Sequence, residues 1–103
     1  MSAGTPREFF DDLTARAPAA PDGLRGSYRF DVAGAGSWRV DVRDDGVAVA
    51  ESSAPADCVI AADEATFMRL LTGEASPAIA FMTGKLRVEG DMGLALRLRD
   101  LFA

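Results

Sequence analysis

The sequence contains no histidine and a single cysteine, Cys58. Without histidine there is no His-based catalytic triad, and one cysteine supplies neither a Cys/His zinc site nor a disulfide framework. No run of apolar residues approaches the roughly 20 that span a bilayer, and the N-terminus lacks the charged and then apolar pattern of a signal peptide. We therefore expect a cytoplasmic protein that does not insert stably into membranes and that has no metal or cofactor.

Basic residues are also in the minority, with 11 Lys and Arg against 16 Asp and Glu and a formal net charge of -5. Binding to nucleic acid needs a basic face that displaces counterions from phosphates, so this balance argues against a nucleic-acid partner. A chain of 103 residues is long enough for one compact domain and too short for two. The sequence thus indicates a single acidic domain over residues 1–103.

Residues 1–23 predict one helix and a linker. Thr5 can cap the helix, Pro6 suits the first helical position, and Glu8 completes a capping box by reaching back to the cap amide. The Pro- and Gly-containing stretch up to Gly23 then forms the linker. The apolar stripe of the helix consists of Phe9, Phe10, Leu13 and Ala17.

Residues 24–62 predict four strands, because apolar and polar residues alternate from Gly26 onward. The pair Asp45-Gly46 predicts a hairpin turn of type I′, which needs positive φ at both central positions. Trp38 follows the alternation of the second strand, so we expect it to pack the sheet against a helix. The third and fourth strands are predicted over 47–51 and 57–62.

Residues 63–103 predict helices around a fifth strand. Asp63 caps one helix that Gly73 ends, and Ser76-Pro77 opens a second, shorter one. The order of elements indicates an α+β fold with a five-stranded, mainly antiparallel sheet covered on one face by helices. The predicted helices span 63–72, 77–83 and 92–102, and the strand is centred on 86–88.

The last predicted helix has more apolar surface than one packed face requires. Leu94, Leu98 and Leu101 fall on one ordinary core-facing stripe, with Ala95 and Phe102 beside it. Met92 and Leu96 lie outside that stripe. Their face must therefore meet a ligand, a partner subunit or another helix.

The neighbouring elements add flexible apolar side chains, since three methionines lie within residues 68–92. Unbranched thioethers conform well to irregular apolar shapes, which suits an elongated cavity. The alternative is that all of these side chains belong to the ordinary core. The candidate cavity residues are Phe67, Met68, Leu71, Ile79, Phe81, Met82, Met92 and Leu96.

The same region resembles the sterol carrier protein 2 (SCP2) domain family. The resemblance rests on Ala56-Asp57-Cys58-Val59-Ile60, on 67–73 with Pro77 and Phe81, and above all on Gly84-Lys85-Leu86-Arg87-Val88 and 90–98. It covers residues 56–102 and extends more weakly to about residue 26. The resemblance implies a five-stranded sheet covered by helices, with an apolar tunnel between them that binds and transfers a fatty acid, an acyl-CoA or a sterol without catalysis.

If the fifth strand and the last helix adjoin that tunnel, Lys85, Arg87 and Arg99 are candidates for binding the headgroup of the lipid. The alternative for each is a solvated surface charge. Longer relatives have two helices before the first strand, whereas this chain has room for one, so a wall of the tunnel is either absent or supplied by a second copy. The chain ends at Phe102-Ala103 and not in the Ser-Lys-Leu address of peroxisomal relatives.

Two other functions remain open from the sequence. In the first, the surplus face of the last helix forms a homodimer interface and there is no ligand. In the second, the domain is an enzyme that uses a buried carboxylate or Tyr28. Cys58 is expected to be a small buried hydrophobe and not a nucleophile, because no histidine is present to generate its thiolate.

Overall fold

The computed structural model describes residues 4–16, 19–20 and 22–97. Helices and strands follow one another within these ranges in the predicted order, and the predicted α+β class is confirmed. The elements are α1 (Pro6–Arg16), β1 (Gly26–Ala33), β2 (Gly36–Arg43), β3 (Gly46–Glu51), β4 (Cys58–Asp63), α2 (Glu64–Thr72), α3 (Pro77–Met82), β5 (Leu86–Gly90) and α4 (Met92–Leu96).

The strands form one sheet in the order β3-β2-β1-β4-β5. β1 and β4 are parallel, with Tyr28 opposite Cys58, and the other neighbouring pairs are antiparallel. The sheet is therefore mixed but mainly antiparallel, as predicted. The parallel pair brings the carboxyl ends of β1 and β4 to the same end of the sheet, and β5 begins there because Leu86 lies opposite Ala62.

One face of the sheet is apolar, and the helices cover it. Successive side chains of a strand point to opposite faces, so Tyr28 and Phe30 share this face, where both are fully buried. Phe10 of α1 stacks on Trp38 of β2 and on Phe67 of α2, with ring centroids 4.8 and 5.6 Å apart. The prediction that Trp38 packs the sheet against a helix is confirmed.

The opposite, outer face of the sheet is polar. Arg29 and Arg39 lie on it and donate hydrogen bonds to the carbonyl oxygens of Ser53 and Pro55. These bonds hold the 52–57 segment, which connects β3 at one edge of the sheet to β4 on the far side of β1. The two faces of the sheet therefore differ in polarity, and the helices pack on the apolar one.

The start of α1 differs in one detail from the predicted capping box. Thr5 Oγ1 accepts a hydrogen bond from the Glu8 N–H, as expected. The Glu8 carboxylate, however, accepts from the Thr5 hydroxyl and from the Gly4 N–H, and not from the cap amide itself. The predicted residues Thr5 and Glu8 thus form the cap, but the backbone donor to the Glu8 carboxylate is the N–H of Gly4, one residue before Thr5.

The hairpin between β2 and β3 turns one residue earlier than predicted. Gly46 is already paired with Arg43 as the first residue of β3, so the two loop residues are Asp44 and Asp45 and not Asp45-Gly46. Gly46 has a φ of 134° at this strand end. Glycine adopts such a φ more readily than other residues, which accounts for its position.

The last helix is described only over its first part, and Arg97 directly follows it. Within that part, Leu94 is buried, as predicted for the core-facing stripe. The predictions made for Leu98, Arg99, Leu101 and Phe102 lie outside the described residues.

Candidate functional site

Five large apolar side chains of α3 and α4 are exposed to solvent. Met82 and Leu96 are the most exposed, at 82% and 83%, and Ile79 is exposed by 63%. Phe81 and Met92 are each exposed by about half. Both helices contact the edge strand β5, so the exposed side chains flank the same edge of the sheet.

The other three predicted cavity residues lie deeper, on α2. Phe67 is buried and takes part in the aromatic core, with Phe30 as a further neighbour at 6.0 Å between ring centroids. Met68 and Leu71 are partly buried and pack against the core. The predicted set is thus divided between a buried part on α2 and an exposed part on α3 and α4.

The position of α4 is fixed by a hydrogen bond from the sheet. The Tyr28 hydroxyl, which is completely buried, donates to the carbonyl oxygen of Leu94 over 2.5 Å. Gly26 allows the close approach, because a Cβ atom on it would lie 2.8 Å from Leu94 Cδ1. The Asp91 carboxylate accepts from the Leu94 N–H and caps the helix. Together these contacts turn Leu94 inward and leave Met92 and Leu96 outside.

α3 is held through its own C-terminal loop. The Lys85 N–H donates to the carbonyl oxygen of Ala80 over 2.9 Å, and Ala80 is the buried residue of this helix. Gly84 reaches a φ of 78° between them, which ends the helix and allows the chain to turn into β5. The loop of residues 83–85 therefore lies directly against α3.

A pocket of about 700 Å³ lies at the end of the sheet where β1 and β4 end and β5 begins. Asp31 and Ser37 from the outer face and Asp63 at the end of β4 line it. Lys85 and Arg87 line it from the loop before β5 and from β5 itself. The pocket is a broad depression that is open to solvent.

The two carboxylates of the pocket are engaged within the protein. Asp31 accepts two hydrogen bonds from Arg29, each 3.0 Å long, and a third from Ser37 Oγ. Asp63 caps α2 by accepting from the Thr66 N–H over 2.6 Å, and this bond holds the pKa of the Asp63 carboxyl below its usual value. The charge of Lys85 acts on that pKa in the same direction, as a smaller effect. Both carboxylates are thus largely satisfied by neighbouring donors.

The two cations of the pocket, unlike its carboxylates, have no hydrogen-bond partner among the described residues. Lys85 and Arg87 are both exposed, and neither side chain forms a hydrogen bond or an ion pair within 4.0 Å in the described part of the chain. Two of the three predicted headgroup residues are thus brought to one pocket by the fold. The third, Arg99, lies outside the described residues.

Sequence reasoning did not find the other polar residues of this pocket. Asp63 was expected only as a helix cap, and neither Asp31 nor Ser37 was a candidate. These residues come from separate strands and meet only through the sheet register, in which Asp31 lies opposite both Ser37 and Ala61. The pattern Gly84-Lys85-x-Arg87 was the one usable signal in the sequence.

The residues considered for covalent or acid–base chemistry have structural roles. Burial raises the pKa of the Cys58 thiol to about 11, with the Asp91 and Asp57 carboxylates adding to the effect. The thiol is therefore protonated at neutral pH, as expected for a buried hydrophobe. Tyr28 is buried, and its hydroxyl serves to hold α4.

No cluster of potential metal ligands occurs among residues 4–16, 19–20 and 22–97. Over the same residues, every helix is too short or too polar to pass through a bilayer.

The chain matches one known family and several known proteins. A family model with the description "SCP-2 sterol transfer family" matches residues 10–103. Hydroxysteroid dehydrogenase-like protein 2 of Danio rerio is 36% identical over 110 residues, which cover 100% of this chain and 26% of that protein. Sterol carrier protein 2 of Homo sapiens is 41% identical over 66 residues, which cover 63% of this chain and 12% of that protein. The chain thus spans about a quarter or less of the length of these curated relatives.

Solved structures show the same fold. The solution structure of the sterol carrier protein domain 2 of Helicoverpa armigera superposes with a TM-score of 0.72 and 26% identity, covering 99% of this chain and 92% of that domain. Sterol carrier protein 2 of Yarrowia lipolytica in its apo form gives a TM-score of 0.64 at 27% identity, with 75% and 66% covered. The first match therefore extends over nearly the whole of a separate domain.

Proposed function

The chain belongs to the SCP-2 sterol transfer family, and from this membership we propose that it binds one lipid with an acyl-like apolar body and passes it on without changing it. The observation that supports this most is the exposure of large apolar side chains on both helices beside β5. Leaving such side chains in water is unfavourable, and exposed apolar surface in monomeric proteins marks an interaction site.

The proposed path of the lipid uses the eight predicted residues in two layers. Ile79, Phe81, Met82, Met92 and Leu96 supply the outer contacts, and the three residues of α2 supply the inner ones. The methionines suit this role because their unbranched side chains adapt to ligands of different shape. We place the polar end of the lipid beside Lys85 and Arg87, because Lys85 lies in the loop that is hydrogen-bonded to α3 and Arg87 follows in β5.

The domain itself is proposed to catalyse no reaction. The Cys58 thiol is protonated and buried, and the Tyr28 hydroxyl donates to a backbone carbonyl group. Asp31 and Asp63 accept hydrogen bonds from neighbouring residues and hold the local structure together. Neither Cys58 nor Tyr28 lines the pocket at the end of the sheet.

The length of the apolar body decides the strength of binding in this proposal. Each methylene that leaves water contributes at most about 0.8 kcal/mol. We expect the dissociation constant of saturated fatty acids to fall stepwise from 8 to 18 carbons, measured by calorimetry below their micelle concentrations. An affinity that does not change with chain length would contradict an apolar binding surface.

A charge placed on the apolar surface tests its location. Leu96→Asp should weaken palmitate binding by at least tenfold, whereas Ala48→Asp, which adds the same charge at the exposed opposite edge of the sheet, should leave it unchanged. Sedimentation of the same proteins tests the dimer alternative. A wild-type dimer that Leu96→Asp converts to a monomer, with no palmitate bound by either, would replace the lipid proposal.

A further inference from the structure

The pocket at the end of the sheet suggests which class of lipid is bound. We infer that Lys85 and Arg87 select a lipid whose head is an ionised oxyanion, a carboxylate or a phosphate, over a neutral lipid such as an alcohol or a sterol. This inference rests on the proposed function and specifies its ligand.

The unequal pairing of the charged groups supports this selection. Arg29 forms two hydrogen bonds with Asp31, so the charge of that carboxylate is already compensated. Asp63 is directed into the N-terminus of α2, where it accepts from Thr66. Lys85 and Arg87 form no hydrogen bond or ion pair within 4.0 Å among the described residues, and the charge of Asp63 acts on Lys85 only from a longer distance. An entering anion therefore displaces no internal ion pair.

The backbone of Lys85, one of the residues that line the pocket, lies close to the apolar surface on α3. The Lys85 N–H donates a hydrogen bond to the carbonyl oxygen of Ala80 in α3, and Met82 is three residues before Lys85 in the sequence. Three residues span at most about 11 Å even when fully extended. A long-chain lipid anchored at Lys85 can therefore lay its chain over Met82 and its neighbours on α3.

Local charge outweighs the charge of the whole chain at this site. The net charge of -5 disfavours anions at long range, but salt at physiological strength screens exposed charges beyond about 8 Å. At the pocket itself, Asp31 is paired with Arg29 and Asp63 accepts from the Thr66 N–H, whereas the Lys85 ammonium and the Arg87 guanidinium form no hydrogen bond or ion pair among the described residues. A charge-assisted hydrogen bond to an oxyanion is stronger than one between neutral groups, so the head of the ligand should contribute measurably to affinity.

The test compares two ligands that share one chain. Palmitate and 1-hexadecanol have the same number of carbons but differ in the charge of the head. We expect wild-type protein at pH 8 to bind palmitate about tenfold more tightly than 1-hexadecanol. The double variant Lys85→Gln with Arg87→Gln should lose this preference and bind 1-hexadecanol as the wild type does.

A matched control removes two exposed cations elsewhere. Arg16 ends α1 and Arg43 ends β2, and both are exposed. Arg16→Gln with Arg43→Gln changes the net charge equally and should keep the tenfold preference. Loss of the preference in this control as well would mean that overall charge decides it, which would overturn the inference.

The remaining outcomes separate the inference from the proposed function. If wild-type protein binds both ligands equally, the inference is wrong and lipid binding stands. If it binds neither, the proposed function fails. Inorganic phosphate should compete with palmitate only in the millimolar range, because it lacks the chain. Phosphate that binds tightly without displacing palmitate would identify a separate anion site and overturn the inference.

Discussion

Gly90 shows how a single residue fixes the geometry at the base of α4. Its φ is 91°, and a Cβ atom at this position would lie 2.3 Å from the carbonyl oxygen of Asp57. That same carbonyl accepts the Asp91 N–H over 2.8 Å, so the chain must pass close to it. Glycine is therefore required for both its conformation and its lack of a side chain.

We predict that Gly90→Ala lowers the free energy of unfolding by about 3 kcal/mol, since positive φ and a backbone clash each cost on the order of 1–2 kcal/mol. Gly73→Ala is the matched control, because Gly73 has a φ of 83° but a Cβ atom added to it would meet nothing within 4 Å. It should cost only about 1 kcal/mol. Urea unfolding measures both values, and equal losses would show that the contact with Asp57 is unimportant.

The burial of individual side chains was predictable from the sequence where it follows from the alternation of a strand. Trp38 and Cys58 sit where the alternation places them, the first against α1 and the second buried in β4. The partner of the Tyr28 hydroxyl was not predictable. It is a backbone carbonyl of α4, distant in the sequence, which no local pattern indicates.

Among the elements, α2 has the most complete set of end signals. Asp63 accepts from the Thr66 N–H at the start, and Gly73 adopts the left-handed conformation at the end. The Thr66 hydrogen bonds favour the ionised form of Asp63 and lower its pKa. The pKa of Asp63 is lower in the folded chain than in the unfolded chain, where it is near 4. The carboxylate therefore stabilises the fold fully at pH values above the unfolded pKa. This stabilisation is lost as the pH falls through the pKa that Asp63 has in the folded protein.

We predict that Asp63→Asn preserves the cap at pH 7, since asparagine caps helices about as well as aspartate. The variant lacks the acid-sensitive part of the stabilisation. The melting temperature of the wild type should therefore fall relative to that of Asp63→Asn as pH decreases from 5 to 3. Asp63→Ala, which has no capping oxygen, should melt a few degrees lower than both at pH 7. A constant difference between wild type and Asp63→Asn across this range would contradict the pKa assignment.

Element order and most boundaries were predictable because each element has its own local signals of periodicity and capping. The hairpin between β2 and β3 shows the limit of this reasoning. The dipeptide Asp45-Gly46 correctly indicated a turn, but the register of Gly46 with Arg43 depends on cross-strand pairing over the whole strand. The turn therefore forms one residue earlier.

At the scale of the whole molecule, the candidate site divides into what the sequence supplies and what the topology assembles. The surplus apolar face of the last helix was visible in the periodicity, and Met92 and Leu96 are indeed outside the core. The pocket was not visible, because Asp31, Asp63 and Arg87 come together only through the parallel pairing of β1 with β4 and the addition of β5. Long-range register of this kind has no local signature.

The central claim is that this domain holds a lipid, and native mass spectrometry of the folded protein purified from the cells that produce it tests this most directly. We predict a species heavier than the polypeptide by the mass of one lipid with an ionised head, which disappears on removal of lipid and returns on addition of palmitate. A protein that shows only the mass of the bare chain, and that gains no mass with palmitate, would contradict the account.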